Sequence, residues 1–439
     1  MTVPSPAPLA RAAVRWSLGH ALPRTLLRRA AREGDLHGRM FVATQSGDLS
    51  ALEPVLDELR GHGPFYRGKY AAVSAENAAV RELLSSPDVA SGFLPTDGGS
   101  RLARLQGWSM IDAPLGPLTP PSLLVTEPPD HTRYRKLVTR VFSVRAVEQL
   151  RGRTQQIATD LLDRIDPGRP VDLVAGYGSL LPVTVIAEIL GVPEHDRDKV
   201  LRFGAAAAPS LDLGLSWREF RRVESALREF DRWLDHHLAG LRRRPGDDLL
   251  SQLVAAQHDG VGLTDTELKS TAGLVLAAGF ETTVNLLGNG TALLAGHPEQ
   301  RRLLAEHDDL WPNAVDEVLR VDPPVLLTGR MTTADAEIAG VPMPRGSAMV
   351  ALLAGANRDP RVFPQPGTFD VSRENARDHV SFSAGRHYCL GAALARMEGE
   401  VGLRTLFERY PDLRVEPGAV RRDTRILRGY ERLPVTLKP

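Results

Sequence analysis

Phe382-Ser383-Ala384-Gly385-Arg386-His387-Tyr388-Cys389-Leu390-Gly391 runs straight into Ala392-Ala393-Leu394-Ala395-Arg396-Met397-Glu398, and this stretch decides how the chain is read. Its second half is built of strong helix formers, so a helix starts just after Cys389. The free backbone N–H groups and the partial positive charge at a helix start favour a thiolate over a thiol. Glycines at 385 and 391 permit a tight loop and let a flat ligand come close to the backbone. Taken alone, a single cysteine is more often a buried structural residue or a nucleophile paired with a histidine.

Cys389 is the one cysteine in 439 residues, which rules out an intramolecular disulfide and any multi-cysteine zinc or iron–sulfur site. That suits a reducing cytosol. Basic and acidic residues balance at 54 each, so no whole-molecule field is built to capture nucleic acid. A charged partner must be met by a local patch. The hydrophobic share of 42% is enough for a sizeable core. Apolar runs such as Ala272 to Phe280 fall far short of the roughly 18–20 residues that span a bilayer, so no integral membrane anchor is expected and the chain is expected in the cytoplasm. Residues 1–40 carry seven Arg against Glu33 and Asp35 and form a basic extension before a main domain over 41–439. The extension reads as a helix packed on the body, or as one that touches a membrane surface or mimics a targeting segment.

Most of the first three-quarters is rich in Ala, Leu, Arg and Glu and reads as helix, punctuated by Pro and Gly. Strand-like pieces are few: Phe65 to Val73, short stretches between Leu326 and Leu353, and the tail around Leu433 to Leu437. The fold class is mainly α with small β-sheets. One helix stands out. Thr264 and Glu267 form a capping box, the apolar pattern runs without Pro to Gly296 and His297, and Pro298 stops it. About 32 residues at a rise of 1.5 Å make a helix of about 48 Å, long enough to cross the domain through its middle. Within it, Ala277-Ala278-Gly279-Phe280-Glu281-Thr282-Thr283 sets small residues, an acid and two hydroxyls in an otherwise apolar run, where a glycine costs about 1 kcal/mol relative to alanine.

Phe-x-x-Gly-x-His-x-Cys-x-Gly over residues 382–391 resembles the haem-binding signature of the cytochrome P450 family, meeting every specified position. The resemblance implies haem b (iron-protoporphyrin IX) held between the long central helix and the cysteine loop, with Cys389 as iron ligand. Other motifs follow at their family order. Glu317-Val318-Leu319-Arg320 resembles the Glu-x-x-Arg pair, which Arg373 joins to brace the cysteine loop. By itself an i, i+3 pair is an exposed helix contact of about 0.2–0.5 kcal/mol. Glu127-Pro128-Pro129-Asp130-His131-Thr132-Arg133-Tyr134-Arg135 resembles the segment whose His and second Arg serve the haem propionates, which implies that role for His131 and Arg135. Arg330 and His387 match two further propionate positions. Ala278-Gly279-Phe280-Glu281-Thr282 resembles the oxygen-activation motif: Ala278 leaves room beside the iron, and Glu281 and Thr282 relay protons. A mid-helix threonine also commonly bonds back to its own helix, so that reading stays open for Thr282.

The likeness covers the chain from about residue 50 and is to soluble bacterial, particularly actinobacterial and mycobacterial, members. It implies a monooxygenase that inserts one atom of dioxygen into a largely apolar small molecule, drawing electrons from a separate ferredoxin and its NAD(P)H-dependent ferredoxin reductase. Arg133, Lys136, Arg140 and Arg386 are candidate docking cations, or else an ordinary solvated face. The pocket is expected to draw on residues of about 90–124 and 203–218 together with Leu274, Ala278, Val325, Leu326, Ile426 and Leu427. Competing readings are a peroxide-using or isomerising haem-thiolate enzyme, a non-enzymatic haem sensor, and a cysteine hydrolase without haem.

Overall fold

A computed structural model describes residues 6–46, 49–92, 101–258 and 262–438. The long helix forms where the sequence predicts it, over Asp265–Gly296. Its capping box closes in both directions: Thr264 N donates to Glu267 Oε2 at 2.7 Å, and Glu267 N donates to Thr264 Oγ1 at 3.3 Å. Pro298 opens the next helix directly after His297. Ala272, Leu276, Val284, Leu287 and Leu294 are all buried, so the helix is apolar on several sides and runs inside the molecule, not along its surface.

Around it pack the helices Leu180–Ile189, Arg197–Ala207, Trp217–Arg243 and Ala392–Arg409. The last of these follows the cysteine, and it approaches the central helix closely because Gly290 has no side chain. A Cβ there would lie 2.6 Å from Leu403 Cδ1.

The strands are two to five residues long and form four small sheets among the described residues. The larger sheet runs Tyr66–Arg67, Ala72–Ser74, Ala348–Ala351, Thr328–Thr332, Val89–Ser91. Val73 pairs in parallel with Val350, and the other pairings are antiparallel. The predicted tail strand is Pro434–Thr436, between Val171–Asp172 and Arg414–Val415. Two apolar clusters flank the larger sheet, and the main core fills the helical side.

The N-terminal segment folds into helices Pro6–Trp16, Leu22–Arg32 and Leu36–Ala43, the third running across residue 40. All three lie on the body. Ala12 is fully buried in a fourth apolar cluster with Ala207, Leu215, Phe220, Val223 and Leu227. No helix of the described residues is long and apolar enough to cross a membrane.

Candidate active site

The cysteine loop is held by its own backbone. Cys389 N donates to Phe382 O at 2.9 Å, and Tyr388 N donates to Gly385 O at 3.1 Å. Gly385 has φ +65°, and a Cβ there would sit 2.6 Å from Leu84 O, so only glycine fits. The following helix begins at Ala392, three residues past the sulfur. The Cys389 residue is exposed at the end of this loop. Burial pushes its thiol pKa up, against the Gly391 N–H bonded to the sulfur and the charges of Arg135 and Arg396. The helix start therefore supplies less than the burial withdraws. A metal cation bound at the sulfur would stabilise the thiolate there.

Behind the loop, Glu317 and Arg320 are both fully buried, with Arg320 Nε 2.7 Å from Glu317 Oε2 and Nη2 2.8 Å from Oε1. Arg373 Nε joins Glu317 Oε1 at 3.1 Å. Arg320 also donates to the carbonyls of Asn357, Pro366 and Thr368. Every donor of the fork is used, and the pair ties three separate segments beneath the cysteine loop.

In front of the loop the structure gathers the predicted bases. The rings of His131 and His387 lie against each other at a tilt of 57°, with centroids 4.6 Å apart. Arg135 donates to the carbonyls of Arg386 at 3.2 Å and Tyr388 at 2.7 Å, fastening the helix Asp130–Thr139 to the loop. Arg330 is 4% exposed and donates to Thr328 Oγ1 and Gly329 O. Glu127, whose role the sequence reading missed, is the carboxylate among them. Its Oε1 lies 3.0 Å from His387 Nε2, and its Oε2 accepts from Arg386 Nη1 at 3.1 Å. Burial raises the Glu127 pKa, but His387, the Ser91 N–H and Arg386 outweigh it and leave it below the usual range.

One carboxylate does not balance this set. Burial lowers the His131 pKa to about 4, helped by the charges of His387 and Arg135, and lowers that of Arg330 to about 10. The buried His131 Nε2 has no hydrogen-bond partner. A cluster with spare buried donors and surplus positive charge, beside the exposed Cys389, fits a flat group that carries two carboxylates and a metal cation. Haem b is such a group.

On the central helix, Thr282 Oγ1 donates to Ala278 O at 2.9 Å, and Thr283 Oγ1 to Gly279 O at 3.2 Å. The back-bonded form left open in the sequence is the one observed. Glu281 is 2% exposed, and burial raises its pKa against the pull of Arg422. Arg422 Nη1 lies 2.7 Å from Glu281 Oε1, at an angle that makes an ion pair but no hydrogen bond. No local pattern in the sequence announces this partner.

An apolar pocket lies over the N-terminal half of the central helix, lined by Leu115, Pro117, Phe203, Ala207, Leu227, Phe230, Leu274 and Ala277. This matches the expected segments in part; residues 93–100 lie outside the described residues. The other expected lining residues need correction. Leu326 and Leu427 border a separate, smaller pocket with Arg421, Arg422 and Arg428, and Val325 bridges to Leu427 in β fashion. Of the four candidate docking cations, Arg133 is ion-paired with Glu267 at 2.6 Å and Arg386 with Glu127, whereas Lys136 and Arg140 are exposed.

Comparison with known proteins agrees with this arrangement. The family model for cytochrome P450 matches residues 208–425. The chain is 50% identical over 436 residues to cytochrome P450 140 of Mycobacterium tuberculosis, covering 97% of this chain and 98% of that one. It is 42% identical over 329 residues to the vitamin D(3) 25-hydroxylase of Pseudonocardia autotrophica, covering 74% and 80%. Among solved structures, ligand-free CYP164A2 of Mycobacterium smegmatis superposes with a TM-score of 0.80 at 32% identity, covering 91% and 99%. This chain belongs to the cytochrome P450 family, the haem b-binding oxidoreductases that act as monooxygenases.

Proposed function

We propose that residues 41–439 form a monooxygenase body in which Cys389 ligates the haem iron and His131, Arg135, Arg330 and His387 hold the propionates. The carrying observation is the exposed Cys389, just ahead of the Ala392–Arg409 helix, set beside Arg135, Arg330 and Arg386, which carry more positive charge than Glu127 neutralises. Bound there, haem supplies the activation of dioxygen and the oxidation itself. The protein's part is to orient the substrate, exclude water and handle protons. Ala278 leaves space on the helix, and Glu281 and Thr282 stand next to it for proton delivery.

The pocket lining is mainly apolar, with Asp231, Lys269 and Ser270 as its polar members, and so favours a largely apolar small molecule as substrate. A relative named for hydroxylating vitamin D(3) supports that class. Electrons are to come from a ferredoxin and its NAD(P)H-dependent reductase. Lys136 and Arg140, exposed on the side of the cysteine loop, are the docking cations, so added salt slows reduction by an acidic ferredoxin. The proposed compartment is the cytoplasm. The test is the carbon monoxide difference spectrum of the reduced protein, with and without Cys389→Ala. A thiolate-type band that survives in the variant removes the assignment.

A further inference from the structure

The Pro6–Trp16 helix has no place in the site described above, yet it lies across both lips of the apolar pocket. One lip is the helix Arg101–Met110 with the segment that follows it to Leu115; the other is the helix Trp217–Arg243, which carries Leu227. Arg15 grips both. Its Nη1 donates to Ser109 O and, at 2.9 Å, to Asp112 Oδ1. Its Nε and Nη2 donate to Glu224 Oε1 at 2.9 Å and 2.6 Å. Each grip sits three residues before a pocket-lining side chain, Asp112 before Leu115 and Glu224 before Leu227.

Two further contacts act in the same sense. Trp16 Nε1 donates to Leu215 O at 2.9 Å, and its ring meets Trp217 edge-on at 5.6 Å. Ala12 is fully buried against the cluster that contains Ala207 and Leu227, both of which line the pocket on their other side. The N-terminal helix is thus the outer layer of the pocket wall. The side chains of Arg15 and Glu224 are 7% and 5% exposed, so parting the lips breaks a pair that solvent hardly reaches, with Arg221 at 3.2 Å as the cation that Glu224 keeps.

We propose that Arg15 is a positioning residue that sets the width of the ligand entrance by cross-linking its two lips. The proposal rests on reading this pocket as the ligand chamber. Arg15 reaches no reacting atom; it acts through Leu115 and Leu227. Large ligands, which need the lips to part, are governed by the clamp, and small ones are not.

The test uses the haem-loaded, full-length protein and stopped-flow mixing with two iron-binding probes, imidazole and the bulky azole clotrimazole, followed by the haem absorption. The variant is Arg15→Met with Glu224→Gln, which removes the clamp without leaving a buried unpaired carboxylate; Asp112 keeps Arg11 at 3.6 Å and the bond from Arg228 to its carbonyl. Loss of the four bonds that Arg15 makes is expected to raise the clotrimazole on- and off-rates by at least roughly tenfold and those of imidazole by less than about twofold. Hydrogen exchange over residues 101–118 and 208–227 rises with them. Arg15→Lys, which keeps the charge but not the fork, is expected to fall between. If the double variant fails to hold haem, Trp16→Leu reads the same quantity, since it cuts the tie to Leu215 without stranding a charge. Clotrimazole rates unchanged in a haem-bearing variant overturn the clamp. Leu227→Trp separates the two readings: it is expected to abolish clotrimazole binding while imidazole still binds, and if clotrimazole affinity is unaffected, the pocket itself is not the ligand chamber.

Discussion

Asp212→Asn is a perturbation whose size and sign follow from the structure. Asp212 ends the turn after the Arg197–Ala207 helix and is 3% exposed. Its carboxylate accepts from Arg425 N at 2.8 Å and Ile426 N at 2.9 Å, tying the segment around residues 208–216 to the loop before the last strands. Those donors favour the charged form, but burial outweighs them and raises the pKa from 3.8 to about 6. Because the folded value exceeds the unfolded one, the native chain holds the proton more tightly. Stability is therefore lost as pH rises from about 4 to about 6 and is level above that. A shift of about two units corresponds to about 3 kcal/mol. With an unfolding entropy of roughly 2.1 cal/mol/K per residue over 439 residues, that amounts to about 3 °C in Tm if the chain melts as one unit. Asparagine does not titrate, so the difference in Tm between variant and wild type is expected to move by about 3 °C in the variant's favour between pH 4 and pH 7. Other buried acids, Glu281 and Glu398 among them, titrate alike in both proteins and cancel in the difference. Parallel Tm profiles across that range refute the reasoning and mean that the two N–H donors, not burial, govern this carboxylate.

Gly385→Ala forces a Cβ to 2.6 Å from Leu84 O at φ +65°, and the left-handed backbone alone costs about 1–2 kcal/mol. Lower haem content at equal expression is the expected result, and normal haem content counts against the geometry of the loop. Arg320→Leu leaves Glu317 fully buried with Arg373 as its remaining cation, a loss of about 3–5 kcal/mol, so little folded holoprotein is expected on purification. Thr282→Ala should retain haem and still consume NAD(P)H with ferredoxin and reductase, but less of it should appear as product and more as peroxide. Unchanged coupling removes Thr282 from proton delivery.

What the sequence made legible was local. The capping box at Thr264 and Glu267, the stop at Pro298 and the Gly-rich loop at 385–391 each announce themselves within a few residues, and each is found in place. The Glu317 and Arg320 pair is readable for the same reason, although only burial shows that it braces and does not merely decorate a helix. The ties that cross the chain carry no such pattern. Arg15 meets Glu224 at a separation of 209 residues, and Arg425 meets Asp212 at 213. Arg133 is the converse case: the sequence offers it as a candidate docking cation, and only the structure shows that Glu267, already engaged in the capping box, also pairs with it at 2.6 Å.

The resting geometry of the proposed proton relay carries a cost of its own. Thr282 has one hydroxyl proton, and it is given to Ala278 O, so the oxygen is free to accept a hydrogen bond but not to donate one. Glu281 is pulled two ways, toward the neutral acid by burial and toward the carboxylate by Arg422. A proton passed along the proposed relay thus requires two ruptures: the Thr282 back-bond, worth about 1 kcal/mol, and the ion pair of Glu281 with Arg422. The first is small against a catalytic barrier. In the proposed relay the pair would therefore be closed at rest and would open only by movement of side chains. Arg422, on a segment remote in sequence from the central helix, is the residue that holds Glu281 in that resting form.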